Sequence, residues 1–344
     1  MYYNLIKTPA FMKTGKGILK NIDKILEEAH LIYRKKILIT QDNLYKEYER
    51  DLNCVRFDKV VIVKGGSVEE VPTVKSECKE TDALIVAFGG GSVLDLVKYS
   101  ASQLDMPYIN VPSALSNDAV YSCVARLTKN GKKYSFGVQP PIGIVVDVNI
   151  INNSPEVLLY AGVADIVSNL SAIQDWLLAH NEIGEPINEL SYMLAKEAAL
   201  PLLRYSKKDL HSDGLILDLV NGIVTSGLAM IVSGNTRGTS GAEHLISHAI
   251  DEYFPEKSTI HGIQVGWAQG IIAKRWRNDP YKVNDFYKRI GLDKVYEKMI
   301  PWAEDDFDML IPYAIKIRNR YTVFNQINSK FKETELGNMP IGGG

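Results

Sequence analysis

The fold is indicated most clearly by one stretch of sequence, Ala83-Leu84-Ile85-Val86-Ala87-Phe88-Gly89-Gly90-Gly91. Its apolar run ends in three glycines, a pattern typical of a buried strand followed by a tight turn. The next residues, 92–98, predict a helix with Ser92 as its N-cap. In such a strand–glycine–helix unit, free backbone N–H groups at the helix start offer a site for an anion such as a phosphate.

Four more apolar runs of strand length occur in the same half of the chain. They are residues 36–40, 60–63, 107–111 and 143–147. Because these runs are continuous rather than alternating, and helical patterns separate several of them, they predict a parallel sheet that helices cover on both faces. Residues 1–155 are therefore predicted to form a Rossmann-like α/β domain.

The sequence pattern changes after Pro155. Residues 190–200 and 215–230 show long amphipathic helical periodicity, and no later segment predicts a strand convincingly. We therefore predict an all-helical second domain over residues 156–344, with the active site in the cleft between the two domains.

Two loops that follow predicted strands carry candidate ligand-binding groups. The glycine loop, residues 89–93, matches neither the GxGxxG dinucleotide fingerprint nor the P-loop pattern, but its position favours binding of a pyrophosphate. The second loop, residues 111–122, is rich in hydroxyl and amide side chains. Ligands of parallel sheets bind outside the carboxyl ends of the strands, where both loops are predicted to lie.

The overall composition is that of a globular protein in water. Of its 344 residues 46% are hydrophobic and 23% charged, and the formal net charge is −2. This balance gives no overall attraction to nucleic acid or to an anionic membrane, so neither is an expected partner. The N-terminus lacks a signal-peptide core, no long apolar run occurs, and the three cysteines are widely spaced. These features predict a cytoplasmic protein without a disulfide framework.

Three of the six histidines fall within residues 244–261. His244 and His248 are four residues apart and so project from one face of a helix, and His261 follows them. Catalytic zinc takes about three protein ligands, so two histidines need a third partner, and Asp165, in an otherwise apolar segment, is the best candidate. The residues alone do not decide which two histidines bind the metal. Leu245 stands where a zincin protease has glutamate, which argues against that class.

Taken together, these residues resemble the glycerol-1-phosphate dehydrogenase family, within the superfamily of iron-containing alcohol dehydrogenases and dehydroquinate-synthase-like enzymes. The resemblance extends over residues 35–325 and rests on an ordered series of segments: 89–95, 111–118, 161–169, 172–176, 240–244, 261–262 and 318–322. The chain departs from the family pattern in three places, one of which is the poorly matching segment after Thr322. It reads Ser116-Asn117-Asp118 where the family has Ser-His-Asp, and Ser113 where the family has Thr.

The resemblance implies a metal site and a role for each histidine. Asp165, His244 and His261 would hold one Zn²⁺ per chain, while His248 would lie beside the substrate and relay a proton. The iron-dependent branch of the superfamily has a fourth ligand, a histidine, at the position of Asn169, and its absence from this chain favours zinc.

The resemblance also implies a dinucleotide site for NAD or NADP. The glycine loop would bind the pyrophosphate through Gly89, Gly90, Gly91, Ser92 and Val93. The nicotinamide end would be lined by Ser113, Ala114, Leu115, Ser116 and Ser122. Asp118 would contact the hydroxyl groups of the substrate.

The reaction that this resemblance implies is hydride transfer between NAD(P)H and dihydroxyacetone phosphate, giving sn-glycerol 1-phosphate. Arg237 and Arg320 are predicted phosphate partners, because guanidinium groups suit phosphate geometry. Three alternatives stay open: a glycerol dehydrogenase acting on an unphosphorylated polyol, a dehydroquinate-synthase-like cyclase, and a non-catalytic nucleotide-binding protein. We expect the helical domain to supply the interface of a homo-oligomer, a dimer or larger.

Overall fold

The structure is a computed structural model that describes residues 8–78 and 82–327. The N-terminal residues 1–7 and the C-terminal tail, residues 328–344, lie outside the described residues. Predictions that fall on these segments therefore stay predictions.

Strands occupy only the first half of the described chain. They are β1 (Phe11–Gly15), β2 (Lys35–Thr40), β3 (Lys59–Ile62), β4 (Ala83–Gly89), β5 (Tyr108–Pro112), β6 (Val124–Lys129), β7 (Lys132–Gly137) and β8 (Gly143–Asp147). Six of them form one sheet in the order β1-β8-β5-β4-β2-β3, and every pairing in it is parallel. The predicted parallel sheet is confirmed, with β4 at its interior and buried at every residue.

Three strands were not predicted from the sequence, namely β1, β6 and β7. Strand β1 lies at the edge of the sheet beside β8, and its residues are half-buried or exposed, so it lacks the continuous apolar run that marks an interior strand. Strands β6 and β7 form a separate antiparallel hairpin. Its turn is Asn130-Gly131, with positive φ values of 50° and 76°, and this dipeptide is a strong hairpin signal that was available in the sequence.

Helices make up the remainder of the regular structure. They are α1 (Ile22–Glu28), α2 (Asp42–Glu47), α3 (Glu49–Leu52), α4 (Val71–Glu77), α5 (Gly91–Leu104), α6 (Val148–Asn153), α7 (Glu156–Val167), α8 (Asn169–Ile183), α9 (Glu189–Ala199), α10 (Asp213–Ser233), α11 (Ala242–Tyr253), α12 (His261–Trp276), α13 (Val283–Ile290), α14 (Leu292–Met299) and α15 (Phe307–Ile317). From residue 148 to 327 the described chain has no strand, which confirms an α/β part followed by a helical part. The domain boundary at residue 155 stays a prediction.

The helical part packs directly onto the sheet part. One buried cluster joins Ile85 of the sheet and Leu96 of α5 to Val163 of α7 and Leu219 of α10. A second cluster fills the space between α11, α12 and α15. Helix α12 contacts both α7 and α11, so it links the two clusters.

The start of α5 differs from the predicted one. The helix begins at Gly91, its N-cap is Gly90 in an extended conformation, and no side chain caps it. Ser92 therefore lies inside the first turn and is not the N-cap. Because the cap residue is a glycine, no cap side chain accepts a hydrogen bond from the first backbone N–H groups of the helix.

Two segments are long and apolar enough to cross a membrane by length and composition, Glu156–Ile183 and Asp213–Ser233. Their most apolar windows are 83% and 61% buried inside the protein. Burial of this extent is what the core helices of a soluble α/β fold show, and nothing in the described structure indicates membrane insertion.

Candidate metal centre and nucleotide cleft

A cavity of about 310 Å³ lies where the sheet part meets the helical part. Gly91 and Ser92 of the glycine loop, Asn117 and Asp118 of the second loop, and the histidine cluster all line it. The structure therefore brings together three sets of residues that the sequence analysis singled out separately. They meet at the carboxyl ends of β4 and β5, the edge at which parallel sheets bind ligands.

Asp165, His244 and His261 lie together at one end of this cavity. Each offers a ligand atom, and the three atoms lie within 4.8 Å of one another. Asp165 Oδ1 is 3.6 Å from Nε2 of His244 and 3.8 Å from Nε2 of His261. Within the described residues this buried oxygen accepts no hydrogen bond. A buried carboxylate oxygen that faces two imidazole nitrogens and lacks a hydrogen bond fits a site that binds a metal cation.

Both histidines of this group are oriented through their other ring nitrogen. Glu243 Oε1 lies 2.9 Å from Nδ1 of His244, and it also accepts the backbone N–H of Gly241 at 2.6 Å. Ser247 Oγ lies 2.8 Å from Nδ1 of His261. Contacts of this kind fix the ring and leave Nε2 free for a metal, as is usual for metal-binding histidines.

Electrostatics in the group are dominated by burial and by charge pairing. Burial raises the pKa of Glu243, but the hydrogen bond and charge of His244 outweigh it, so the net pKa of Glu243 is lowered and the side chain is ionised. An ionised carboxylate only accepts hydrogen bonds, so His244 must carry its hydrogen on Nδ1. Burial lowers the pKa of His244, yet its interactions with the carboxylates of Asp165 and Glu243 raise it overall, to about 9.

Two glycines allow the backbones around this group to approach closely. A Cβ at Gly262 would overlap the carbonyl oxygen of Ala161 and lie 2.7 Å from its carbonyl carbon. A Cβ at Gly162 would overlap the carbonyl oxygen of Leu115. The close approach at Gly262 brings the start of α12, which carries His261, against α7. The close approach at Gly162 brings the loop of residues 111–122 against α7, beside Asp165. Neither position has room for a side chain.

His248 and Asp118 flank the group without joining it. The ring of His248 stacks on that of His261, with centroids 5.6 Å apart. Burial, followed by the charge of Arg126, lowers the pKa of His248 well below its usual value. The backbone N–H of Asp118 donates to Asp165 Oδ2 at 3.2 Å, and burial together with the charge of Asp165 raises the pKa of the Asp118 carboxyl to about 7.

The predicted cofactor residues divide into two sets. Gly91 and Ser92 line the cavity, and Gly90 is the cap of α5 beside them. Val93, Ala114 and Leu115 are buried, and the Ser122 hydroxyl is buried against Lys98 Nζ at 2.9 Å. For these buried residues the structure shows a packing role. The predicted contacts of Gly89 and Val93 with the pyrophosphate, and of Ser113, Ala114, Leu115, Ser116 and Ser122 with the nicotinamide, stay predictions.

Several cavity residues were not singled out from the sequence. They are Gly66, Arg126, Thr128, Lys133 and Asp251. Gly66 has a φ of 84°, and its N–H donates to the carbonyl of Ser92 at 2.9 Å, so it abuts the glycine loop. The dipeptide Gly65-Gly66 after the run 60–63 was the available signal for it. For Arg126 and Lys133, the cations on the hairpin β6–β7, the signal available in the sequence was the Asn130-Gly131 turn, which predicts the hairpin.

The two arginines predicted to contact phosphate are occupied elsewhere. Arg237 Nε donates to Glu185 Oε1 at 2.6 Å, and its Nη1 donates to the carbonyl of Tyr321 at 3.0 Å. Arg320 donates to the carbonyl of Ser240 and to Thr236 Oγ1. The structure places Arg318, two residues before Arg320, on the cavity wall instead.

Comparison with known proteins agrees with this geometry. A family model described as iron-containing alcohol dehydrogenase matches residues 13–155. The NAD(P)+ glycerol-1-phosphate dehydrogenase of Archaeoglobus fulgidus is 30% identical over 98% of this chain and 98% of its own length. The chain belongs to the glycerol-1-phosphate dehydrogenase family. Family membership makes it an enzyme of the metal-containing alcohol dehydrogenase type.

Solved structures of the same superfamily share the fold. A probable glycerol dehydrogenase from Sinorhizobium meliloti superposes with a TM-score of 0.71 at 16% identity, over 94% of this chain and 93% of that one. The glycerol dehydrogenase of Schizosaccharomyces pombe gives 0.71 at 17% identity, over 94% and 86%. At identities of 16% and 17% the similarity shows a shared architecture only. The substrate has to be inferred from the residues of the site.

Asn169 bears on which metal this member of the glycerol-1-phosphate dehydrogenase family binds. Its side-chain nitrogen donates to the carbonyl of Ala195 at 3.2 Å and to Ser226 Oγ at 3.1 Å. Asn169 therefore ties α8 to α9 and α10, and it is not one of the three residues of the group. The group offers one carboxylate and two imidazoles, a donor set that suits zinc with one position open to substrate.

Replacing Glu243 by glutamine tests whether this residue supports the metal group. The E243Q variant keeps the shape and the acceptor oxygen but loses the charge that orients His244, so we expect the metal affinity to fall about 10- to 100-fold. Competition with a chromophoric chelator measures it. Glu252→Gln, an exposed change on the same helix, is the matched control. Equal affinities in the two variants would mean that Glu243 has no such role.

Proposed function

We propose that this enzyme transfers hydride between NAD(P)H and dihydroxyacetone phosphate, giving sn-glycerol 1-phosphate, with one Zn²⁺ held by Asp165, His244 and His261. The observation that carries the proposal is that these three residues and the uncapped start of α5 open into one cavity. A dehydrogenase of this kind needs a dinucleotide site and a metal site side by side. The full-length similarity to the Archaeoglobus fulgidus enzyme supports the same reaction.

The chain's own residues supply binding and orientation. When bound, zinc supplies Lewis acidity at the substrate carbonyl oxygen and the nicotinamide supplies the hydride. Glu243 and Ser247 hold the two imidazoles so that both Nε2 atoms face Asp165. The free N–H groups at the start of α5, from Gly91 onwards, bind the cofactor pyrophosphate.

His248 and Asp118 handle the substrate's hydroxyl groups in this proposal. His248 lies on the face of α11 that carries His244, and its lowered pKa keeps it neutral near pH 7. A neutral imidazole accepts the proton of the alcohol in the oxidation direction and returns it in reduction. Asp118, next to Asp165 at the cavity wall, accepts a hydrogen bond from the neighbouring hydroxyl of the substrate.

The proposal favours a phosphorylated substrate over free glycerol. The chain is about 30% identical to relatives named as glycerol-1-phosphate dehydrogenases over nearly its whole length, whereas the glycerol dehydrogenases share only its fold. A cyclase of the dehydroquinate synthase type would release no reduced cofactor, so net oxidation or reduction of the cofactor separates it from the proposed enzyme.

The substrate proposal predicts a specific kinetic result for the purified enzyme with zinc. Oxidation of NADH and of NADPH, followed by absorbance, should be at least about 100-fold more efficient in kcat/KM with dihydroxyacetone phosphate than with dihydroxyacetone. The reason is that charged hydrogen bonds to the phosphate are lost with the free ketone. Equal or better turnover of dihydroxyacetone would contradict the proposal in favour of a glycerol dehydrogenase.

We also infer a cytoplasmic location and a homo-oligomeric state. The helical part exposes several large apolar side chains, namely Leu177, Ile183, Leu190, Met193 and Leu217. Contact between copies of the chain would cover such side chains. The unpaired cysteines Cys54, Cys78 and Cys123 fit a reducing compartment.

A further inference from the structure

One face of the hairpin β6–β7 is turned into the cavity. Arg126, Thr128, Lys133 and Ser135 all line the cavity. Arg126 pairs with Ser135 across the hairpin, and Thr128 pairs with Lys133. Because side chains alternate along a strand, these four residues share one face. That face therefore offers two cations and two hydroxyl groups to the space beside the metal group.

Asp251 holds the two hairpin cations in place. Its Oδ2 lies 3.0 Å from Arg126 Nη2 and 3.2 Å from Lys133 Nζ. The Asp251 side chain is only 3% exposed, and its other oxygen lies 3.3 Å from Gln264 Nε2. Asp251 lies on α11 three residues after His248, so the helix that carries the histidines also anchors the hairpin.

Arg318 faces the same space from the other side. It follows α15 and lines the cavity, and within residues 8–78 and 82–327 its guanidinium has no hydrogen bond or ion pair. Arg318 and Arg126 line the same cavity, and burial, followed by the charge of Arg126, lowers the pKa of Arg318. A cation held near another cation without a counter-ion is costly, and an anionic ligand removes that cost.

We infer that Arg126, Lys133 and Arg318 form the subsite that binds the phosphate group of the substrate, with Asp251 as the residue that positions the first two. The inference rests on the proposed function and deepens it. Three cations against one carboxylate leave two positive charges, which matches a phosphate monoester dianion near pH 7. Guanidinium groups bind phosphate oxygens in pairs, and the hydroxyls of Thr128 and Ser135 add further donors.

The subsite discriminates between phosphorylated and free ketones. With the ketone oxygen at the group formed by Asp165, His244 and His261, the phosphate of a three-carbon substrate would be bound elsewhere in the same cavity, which Arg126, Lys133 and Arg318 also line. The same cations would also suit the pyrophosphate of the cofactor, which is the other phosphate in the reaction. The experiment must therefore separate these two sources.

Arg318→Gln is the variant that tests the subsite, since the Arg318 side chain makes no hydrogen bond or ion pair among the described residues that its loss would break. We expect kcat/KM for dihydroxyacetone phosphate to fall about 10- to 100-fold, chiefly through KM, because a charged hydrogen bond is lost. The ratio of kcat/KM for dihydroxyacetone phosphate to that for dihydroxyacetone should fall by a similar factor, while KM for NADH changes little. Lys132→Gln is the matched control, since Lys132 is an exposed cation next to Lys133 whose side chain points to the opposite face of the hairpin.

Binding of inorganic phosphate gives a readout that does not depend on turnover. Calorimetry should show tighter phosphate binding to the zinc-loaded wild type and Lys132→Gln proteins than to Arg318→Gln. An unchanged substrate ratio in Arg318→Gln, equal phosphate affinities, or a raised KM for NADH alone would overturn the subsite. Failure of the wild type to reduce dihydroxyacetone phosphate would instead count against the proposed function, and the phosphate measurement would still decide the subsite.

Discussion

His244→Ala is expected to abolish stable metal binding and to lower turnover at least about 1,000-fold, because Lewis-acid stabilisation of the developing charge is worth several kcal/mol. The loss should be this large because the proposed site has three protein ligands, and His244 is oriented by the ionised Glu243 at 2.9 Å. Elemental analysis of the dialysed protein and steady-state kinetics with dihydroxyacetone phosphate measure the two effects.

His248→Ala is the comparison that separates binding of the metal from transfer of the proton. His248 lies four residues along the same helix, with its ring centroid 6.2 Å from that of His244, so its removal changes the same cavity without removing a ligand. This variant should keep one metal ion per chain and lose turnover about 100-fold or more, as expected for loss of a general acid–base group. Full activity in a metal-free His244→Ala protein would refute the proposed mechanism, and loss of metal from His248→Ala would refute the assignment of ligands.

Gly262→Ala is expected to weaken the metal site nearly as severely, although glycine 262 contributes no ligand. The added Cβ would overlap backbone atoms of Ala161, which cannot turn aside as the end of a flexible side chain can. The start of α12 must therefore move away from α7, and His261 moves with it. We expect the free energy of unfolding to fall by about 2 kcal/mol, as for other overpacked cores.

Displacement of His261 should also reduce metal affinity at least about 100-fold, since metal sites tolerate little error in ligand position. Urea unfolding of the metal-free protein and a chelator competition measure the two quantities separately. Gly137→Ala is the control, because a Cβ at that glycine meets no atom within 4 Å. A Gly262→Ala protein that binds metal as tightly as the control would show that the close approach of α12 to α7 does not set the site.

Much of the fold was predictable from local patterns. The runs at 36–40, 60–63, 83–88, 107–111 and 143–147 all became strands of the parallel sheet. Strands buried on both faces must be apolar, which explains β4, whereas β3 is apolar although it lies at an edge with three of its four residues exposed. The helices at 189–199 and 213–233 agree with the predicted periodic segments. The edge strand β1 was not predicted, because its residues are half-buried or exposed and it therefore lacks a continuous apolar run.

The candidate site was predictable in part, and the reason differs from residue to residue. His244, His248 and His261 are close in sequence and rare in the chain, so their grouping was visible without a structure. Asp165 was visible because a carboxylate in an apolar helix needs a partner. Arg318 and Arg237 look equally suitable in sequence, yet one lines the cavity and the other is bound to Glu185.

The sequence by itself indicated the parallel sheet and the helical part and singled out Asp165 and the three histidines, because each of these signals depends on a few neighbouring residues. The choice of His244 and His261 as ligands came from the resemblance to the family. Only the tertiary structure decided which face of the hairpin β6–β7 meets the cavity and which cations remain available to an anion. Arg126 pairs with Asp251, which lies 125 residues away in the sequence, and Arg237 pairs with Glu185, which lies 52 residues away. Charge pairing over such separations depends on how helices and sheet pack, and it is this packing that makes the three grouped histidines unequal: two face Asp165 and the third lies beside them.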